Sequence, residues 1–145
     1  MQLTQYTDYS LRVLIYLGVN EQHLATISEI SESYGISRNH LVKIVHQLGQ
    51  HGYIETRRGK GGGIQLSRSP AEINIGEVIR RSEGNFNIVE CFNEGKQACS
   101  IVPGCRLKTV IAEAMDSFFS VLDHYTLNDL IANKRSLKSL LHIPL

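Results

Sequence analysis

The 145-residue sequence lacks several features that would point to particular classes of protein. No run of residues approaches the ~18 consecutive apolar residues of a membrane span, so we expect no membrane contact. The first five residues lack the basic stretch and apolar core of a secretory signal, which favours a cytoplasmic protein. The three cysteines are too few, and odd in number, for a disulfide framework, and they favour metal binding or reactive thiols.

What the chain does contain is enough apolar material for one small domain with an appended helix. Hydrophobic residues make up 42% and charged residues 20%, so a packed core is expected and disorder is not. The formal net charge is only +1. Between Arg38 and Arg68, however, six basic residues face a single acid, Glu55, which gives this segment a charge of +5. Such a local patch is typical of a surface that binds a phosphate backbone, although a solvated charged face would look the same.

Three amphipathic segments at the start of the chain predict helices. The first spans Tyr6 to Leu17 and is predicted to end at Gly18. Thr26 and Glu29 form a capping box for a second helix that ends at Gly35. Ser37 caps a third helix, which runs to about Gln50. Two short helices joined by a glycine-containing turn form a helix-turn-helix.

The third helix carries polar residues at its start, as a recognition helix does. The residues expected to reach base edges or phosphates are Ser37, Arg38, Asn39, His40 and Lys43. On this segment alone, an ordinary soluble helix pair is equally consistent with the pattern.

The segment that follows the third helix favours DNA binding over an ordinary helix pair. Residues 53–57 and 64–67 alternate like strands, and a glycine-rich basic turn separates them. A hairpin directly after a recognition helix is a wing, in which Arg57, Arg58 and Lys60 can reach phosphates or a narrow minor groove. A nucleotide-binding loop is excluded because these glycines precede a strand and no Gly-Lys-Ser/Thr motif follows.

A long helix is predicted from about Arg106 to Ile131. Its apolar residues recur every three or four positions and form a seam of Leu107, Ile111, Ala114, Phe118, Val121 and Tyr125. Val110, Phe119 and Leu122 widen this seam. Such a seam needs a partner surface, and a second copy of the chain is the favoured source. The predicted organisation is therefore a winged helix-turn-helix over 1–70, a connecting helix and cysteine loop over 71–105, and a dimerisation helix with a C-terminal tail over 106–145. The fold class is mainly α with a small β wing.

The three cysteines, Cys91, Cys99 and Cys105, lie in one polar, glycine-containing loop. Structural zinc sites normally offer closely spaced cysteine pairs and four ligands, so zinc is disfavoured. Inert buried thiols are the ordinary alternative for single cysteines. Three in such a loop favour an iron–sulfur cluster, which thiolates usually hold and which here needs one further ligand.

The order of these motifs resembles one family, the Rrf-type winged-helix regulators. The resemblance rests on the N-terminal run Tyr6-Thr7-Asp8-Tyr9-Ser10-Leu11-Arg12, on Ser37-Arg38-Asn39-His40-Leu41, on Arg58-Gly59-Lys60-Gly61-Gly62-Gly63 and on the three-cysteine loop. It covers nearly the whole chain and is greatest for the nitric-oxide-sensitive members. It implies a homodimeric repressor that binds double-stranded operator DNA, holds an iron–sulfur cluster and is released when nitric oxide attacks that cluster. No enzymatic activity is expected.

The resemblance also implies the cluster ligands. They would be Cys91, Cys99 and Cys105, with Asp8 from the partner subunit as the fourth and Glu90 as a weaker candidate. Members that regulate iron–sulfur homeostasis use a histidine three residues after the last cysteine, where this chain has Lys108. A 4Fe–4S cluster is favoured over 2Fe–2S. The alternatives are a regulator that senses iron supply or redox state, a cluster-free thiol sensor, and an iron–sulfur or zinc enzyme.

Overall fold

The computed structural model describes residues 1–95 and 99–145. Its first helix, α1 (Gln5–Val19), begins after Thr4, whose hydroxyl accepts a hydrogen bond from the Thr7 amide at 3.3 Å. The predicted end at Gly18 is wrong, because the helix continues through it to Val19. A Cβ at Gly18 would lie 3.1 Å from Ile131 Cδ1, so this glycine allows a later segment to pack closely and does not stop the helix.

The helix-turn-helix is confirmed. It consists of α2 (Ile27–Tyr34) and α3 (Arg38–Gln50). The capping box before α2 is complete, since the Thr26 amide donates to Glu29 Oε2 at 2.6 Å and the Glu29 amide donates to Thr26 Oγ1 at 3.2 Å. Gly35 ends α2 in the left-handed region with φ of 66°, where a Cβ is unfavourable.

The wing, which we define as residues 54–66, follows α3. Strands β1 (Ile54–Arg57) and β2 (Gly63–Leu66) pair antiparallel, with Ile54 opposite Leu66 and Arg57 opposite Gly63. A 3-10 turn (Pro70–Glu72) then leads to α4 (Ile75–Ser82), which Asn74 caps by accepting from the Glu77 amide at 3.0 Å. Two further 3-10 turns, Glu90–Phe92 and Val102–Gly104, lie in the cysteine region.

The long helix α5 (Arg106–Asp123) is shorter than predicted. The chain leaves the helix because Thr126 starts a new capping box with Asp129 and opens α6 (Leu127–Leu130). Backbone bonds then tie this turn to the start of α4, from the Ile75 amide to the Tyr125 carbonyl and from the Leu127 amide to the Ile73 carbonyl, at 3.0 and 2.8 Å. The last helix is α7 (Lys134–Leu140).

One apolar core joins α1, α2, α3, the wing, α4 and the C-terminal segment, which we define as residues 124–145. Residues 127, 131, 141 and 143 of that segment are buried in it, so these residues do not form a loose tail. By contrast, α5 contains no buried residue. Four residues of the predicted seam are exposed, namely Leu107, Ala114, Val121 and Tyr125. The other two, Ile111 and Phe118, are half-buried within the same chain. Within residues 1–95 and 99–145, no helix combines the length and apolarity needed to cross a membrane.

Candidate nucleic-acid interface and metal centre

Helix α3 separates an apolar inner face from a polar outer face. Ser37 caps the helix through its hydroxyl, which accepts from the His40 amide at 3.3 Å. The inner face is buried in the core and consists of Leu41, Ile44, Val45 and Leu48. The residues predicted to bind DNA are all exposed, namely Ser37, Arg38, Asn39, His40 and Lys43. The inner face thus holds the helix in place while its first two turns present donors and cations to solvent.

The wing presents its cations at a turn that only glycine can form. Gly59 and Gly61 have φ of 96° and 77°, and a Cβ at Gly62 would overlap the Arg57 carbonyl oxygen. Arg58 and Lys60 are exposed at this turn. Arg57 is exposed too, and its guanidinium lies 3.9 Å from the Glu55 carboxylate, which screens part of its charge.

The wing is attached to the helix-turn-helix by a contact that the sequence did not signal. Ala25, just before α2, exchanges two backbone hydrogen bonds with Ile64 of β2, at 3.0 and 2.7 Å. A Cβ at Gly63 would lie 2.7 Å from the Ala25 carbonyl oxygen, so the close approach requires glycine. The recognition helix and the wing therefore belong to one rigid unit with a shared core.

One cation of the basic patch has a structural role. The Arg68 guanidinium lies 5.1 Å from the centre of the Tyr53 ring, and its Nε donates to the Gly52 carbonyl at 3.2 Å. Arg81 of α4 donates to the neighbouring His51 carbonyl at 3.3 Å. The Arg68 guanidinium therefore has partners within the chain, just after the end of α3, in addition to its place in the basic patch.

A junction between α4 and α5 connects this unit to the long helix. Arg80 donates two hydrogen bonds to Asp123, at 2.6 and 2.7 Å, and its guanidinium lies 4.3 Å from the centre of the Phe119 ring. These bonds lower the pKa of the Asp123 carboxyl, which remains ionised beside the cation. A Cβ at Gly76 would overlap the same carboxylate. The end of α5 is thus held against α4 at a fixed distance.

Asp8 lies in the first turn of α1 and is paired within its own chain. Its two carboxylate oxygens accept from Arg12 Nε and Nη2 at 3.2 and 2.7 Å. The Arg12 guanidinium in turn lies 5.4 Å from the centre of the Tyr9 ring. Tyr9 also faces the recognition helix, with its ring centre 6.2 Å from that of His40. The start of α1 therefore lies beside His40, one of the residues that the sequence assigns to DNA.

The three cysteines precede α5 in the chain and form no disulfide. Cys91 is half-buried in the 3-10 turn Glu90–Phe92, Cys99 is exposed, and Cys105 is half-buried immediately before α5. Lys96, Gln97 and Ala98, which belong to the predicted cysteine loop, lie outside the described residues. In the remainder of the chain, no three His, Cys, Asp or Glu side chains are grouped closely enough to hold a metal ion. Three free thiols fit an iron–sulfur cluster as a set of donors, but residues 1–95 and 99–145 do not bring them together as a metal site.

A helix-turn-helix followed by a basic two-stranded hairpin defines a winged-helix protein of the DNA-binding type. The chain belongs to the Rrf2 family, since the model of that family, described as an iron-dependent transcriptional regulator, matches residues 3–133. It is 54% identical over 142 residues to the HTH-type transcriptional regulator NsrR of Bacillus subtilis strain 168, with 97% of each chain covered.

Two solved structures have the same fold. The oxidized form of Staphylococcus aureus CymR superposes with a TM-score of 0.71 at 27% identity, covering 90% of this chain and 95% of that one. T. potens IscR superposes with a TM-score of 0.74 at 23% identity, covering 92% of this chain and 88% of that one, and at this identity it supports the fold alone.

Proposed function

We propose that this protein is a transcriptional repressor that binds double-stranded operator DNA as a homodimer and responds to nitric oxide through an iron–sulfur cluster. The observation that carries the DNA-binding part is a recognition helix whose exposed first turns are followed by a basic wing held in the same rigid unit. Membership of the Rrf2 family and the similarity to NsrR proteins support a transcriptional regulator.

On DNA, the two parts of the unit have different tasks. The exposed start of α3 enters the major groove, where Arg38, Asn39 and Lys43 can donate to base edges and phosphates. Ser37 and His40 lie at the same end of the helix. The wing cations Arg57, Arg58 and Lys60 contact the backbone or minor groove alongside, which supplies affinity with a strong dependence on salt.

The proposed dimer uses the solvent-facing side of α5. Leu107, Val110 and Val121 are exposed by 64%, 54% and 59% and are spaced three and eleven residues apart, which places them on one face of the helix. Burying this face against a second copy would remove the exposed large apolar side chains of α5 from water. A two-fold dimer would then present two recognition helices to half-sites one helical turn apart, ~34–36 Å between centres.

The proposed ligands of the cluster are Cys91, Cys99 and Cys105, together with Asp8 from the partner subunit, and 4Fe–4S is favoured over 2Fe–2S. When bound, such a cluster supplies iron with an exchangeable position that nitric oxide can occupy. Asp8 can serve only if its two bonds to Arg12 open or are shared, since both carboxylate oxygens accept from that guanidinium. Arg12 therefore competes for the carboxylate and sets how readily Asp8 is available.

A cluster-free thiol sensor is the second candidate, and one observation favours it. Cys99 is exposed and all three thiols are free, so they are open to oxidants. In that case the response would need no iron.

The first test combines a spectrum with a binding assay. The protein is purified without oxygen, its visible absorption, iron and sulfide are measured, and duplexes selected from a random library are titrated over a range of salt before and after nitric oxide. The proposal predicts a cluster band that nitric oxide bleaches and a simultaneous loss of duplex affinity. A colourless, iron-free protein that still binds DNA would favour the thiol sensor.

The structure offers a matched pair of variants for the fourth ligand. If Asp8 only pairs with Arg12, then Asp8→Ala and Arg12→Ala should have the same cluster spectrum and the same response to nitric oxide. If Asp8 is a ligand, Asp8→Ala alone should change the cluster spectrum and the response to nitric oxide, while Arg12→Ala keeps the spectrum. Equal spectra for both variants would remove Asp8 from the ligand set.

A further inference from the structure

The structure describes all of residues 2–87. Among them, Val42 is the one large apolar side chain that is exposed. Its exposed fraction is 52%. The apolar residues on the other side of α3, such as Leu41 and Ile44, are 0% and 2% exposed. The helix-turn-helix and the wing thus bury their large apolar side chains at least in part with one exception, and that exception lies on the recognition helix.

The surroundings of Val42 are polar and basic. It is the fifth residue of α3, and on a helix it neighbours the residues three and four positions away. Three of these, Arg38, Asn39 and His46, are exposed. Valine is a poorer helix former than alanine because its branched Cβ restricts rotation. Neither helix propensity nor burial within the chain therefore accounts for valine at this position.

We propose that Val42 contacts the C5-methyl group of a thymine in the major groove of the operator and so determines specificity for a T·A pair. This inference rests on the proposed function. A valine cannot hydrogen-bond, and the thymine methyl is the apolar group that the major groove presents. Arg38, Asn39 and His46 surround it with donors and positive charge that suit DNA and disfavour an apolar protein partner.

The test compares thymine with deoxyuridine, which lacks only the methyl group and keeps the same hydrogen-bonding edge. In a duplex selected from a random library by the wild-type protein, each thymine of both half-sites is replaced in turn. Binding of wild type and Val42→Ala is measured at one salt concentration. Burial of one methyl group corresponds to about fourfold in affinity, so one symmetric pair of replacements should weaken the wild type roughly 15-fold.

Val42→Ala should lose a similar factor on the thymine duplex and should be insensitive to deoxyuridine at that pair. Its salt dependence should be unchanged, because no charge is removed. Leu140→Ala is the matched control, since Leu140 is a 70% exposed aliphatic residue on α7, far along the chain from the recognition helix. It should behave as wild type on every duplex.

Two outcomes overturn the proposal while leaving DNA binding intact. Either Val42→Ala binds the thymine duplex as tightly as wild type, or every deoxyuridine replacement affects both proteins equally. If the wild-type protein selects no duplex at all, the proposed function fails, and this inference fails with it.

Discussion

The packing of α6 against α1 makes a quantitative prediction about two residues that are 113 positions apart. A Cβ at Gly18 would lie 3.1 Å from Ile131 Cδ1, 3.4 Å from Leu127 Cδ2 and 3.6 Å from Ile131 Cγ2. Gly18→Ala alone gains ~1 kcal/mol in helix propensity but loses ~1–3 kcal/mol to overpacking. Ile131→Val alone removes the crowding methyl group from a residue that is 1% exposed, at a cost of ~0.5–1.5 kcal/mol.

Combined, the two substitutions should compensate. With Cδ1 absent, the nearest atoms to the new methyl group are those at 3.4 and 3.6 Å, which is ordinary van der Waals contact. We therefore expect the double variant to be close to wild type and more stable than the sum of the single variants by about 1–2 kcal/mol.

The assay is urea unfolding followed by circular dichroism, with all variants at the same protomer concentration because the proposed dimerisation would shift the midpoint. Gly49→Ala is the matched control, since the nearest atom to its Cβ is the Ile54 carbonyl oxygen at 3.9 Å and the site has room. This variant should gain ~0.5–1 kcal/mol on its own. Additivity of Gly18→Ala and Ile131→Val within ~0.5 kcal/mol would refute the packing of α6 on α1.

Three further predictions concern the wing, an alkaline transition and a helix end. Arg58→Ala combined with Lys60→Ala removes four wing cations from the proposed dimer. The slope of the logarithm of the DNA-binding constant against the logarithm of the salt concentration should therefore decrease in magnitude by about 3–4. Arg135→Ala of α7 is the control and should leave this slope unchanged. Burial raises the pKa of Tyr34 to about 12 from its usual 10. The contribution of Tyr34 to the free energy of unfolding is therefore fully present below pH 10, and roughly 2–3 kcal/mol of it is lost as the pH rises through 12. Tyr34→Phe should lack this loss when unfolding is measured over that pH range. If the variant showed the same pH dependence as the wild type, the assignment of the transition to Tyr34 would be wrong. Gly35→Ala should cost ~1–2 kcal/mol in urea unfolding, because φ is 66° there while no atom lies within 4 Å of the added Cβ; no loss would mean that the turn has relaxed.

The Asp8–Arg12 pair affects how the proposed sensor should be interpreted. Within one chain, both carboxylate oxygens are already occupied by Arg12. An exposed pair of this kind contributes little to stability, so opening it is inexpensive. Arg12 is therefore a partner that competes with the proposed cluster for Asp8 and can release it. The variant Arg12→Ala tests that competition directly.

Local signals in the sequence were sufficient for the helix-turn-helix. The bounds of α2 agree with the prediction at both ends, because Thr26, Glu29 and Gly35 act on the backbone within one turn of themselves. The same holds for Ser37 at the start of α3 and for the glycine-rich turn of the wing. These elements are defined by hydrogen bonds and φ preferences that involve few neighbouring residues.

Contacts between distant segments could not be predicted in this way. Gly18 has the same local signature as a helix stop, and only the arrival of Ile131 explains why the helix continues. Arg68 counts as a surface cation until the Tyr53 ring and the Gly52 carbonyl are placed beside it. No periodicity of α5 reveals that the chain turns after Asp123 to bury Leu127 and Ile131.

The sequence alone thus determined the helix-turn-helix with its wing and the candidate DNA-reading residues, because these depend on residue type and short spacing, whereas the candidate cluster ligands followed from the family resemblance. The tertiary structure decided which cations of the basic patch have partners within the chain, how the wing is joined to the segment before α2 through Ala25, and how the end of α5 is held by Arg80. It also singled out Val42, whose exposure is a property of the folded surface. Exposure and long-range pairing arise only when segments far apart in the chain pack together, so they follow from the fold as a whole.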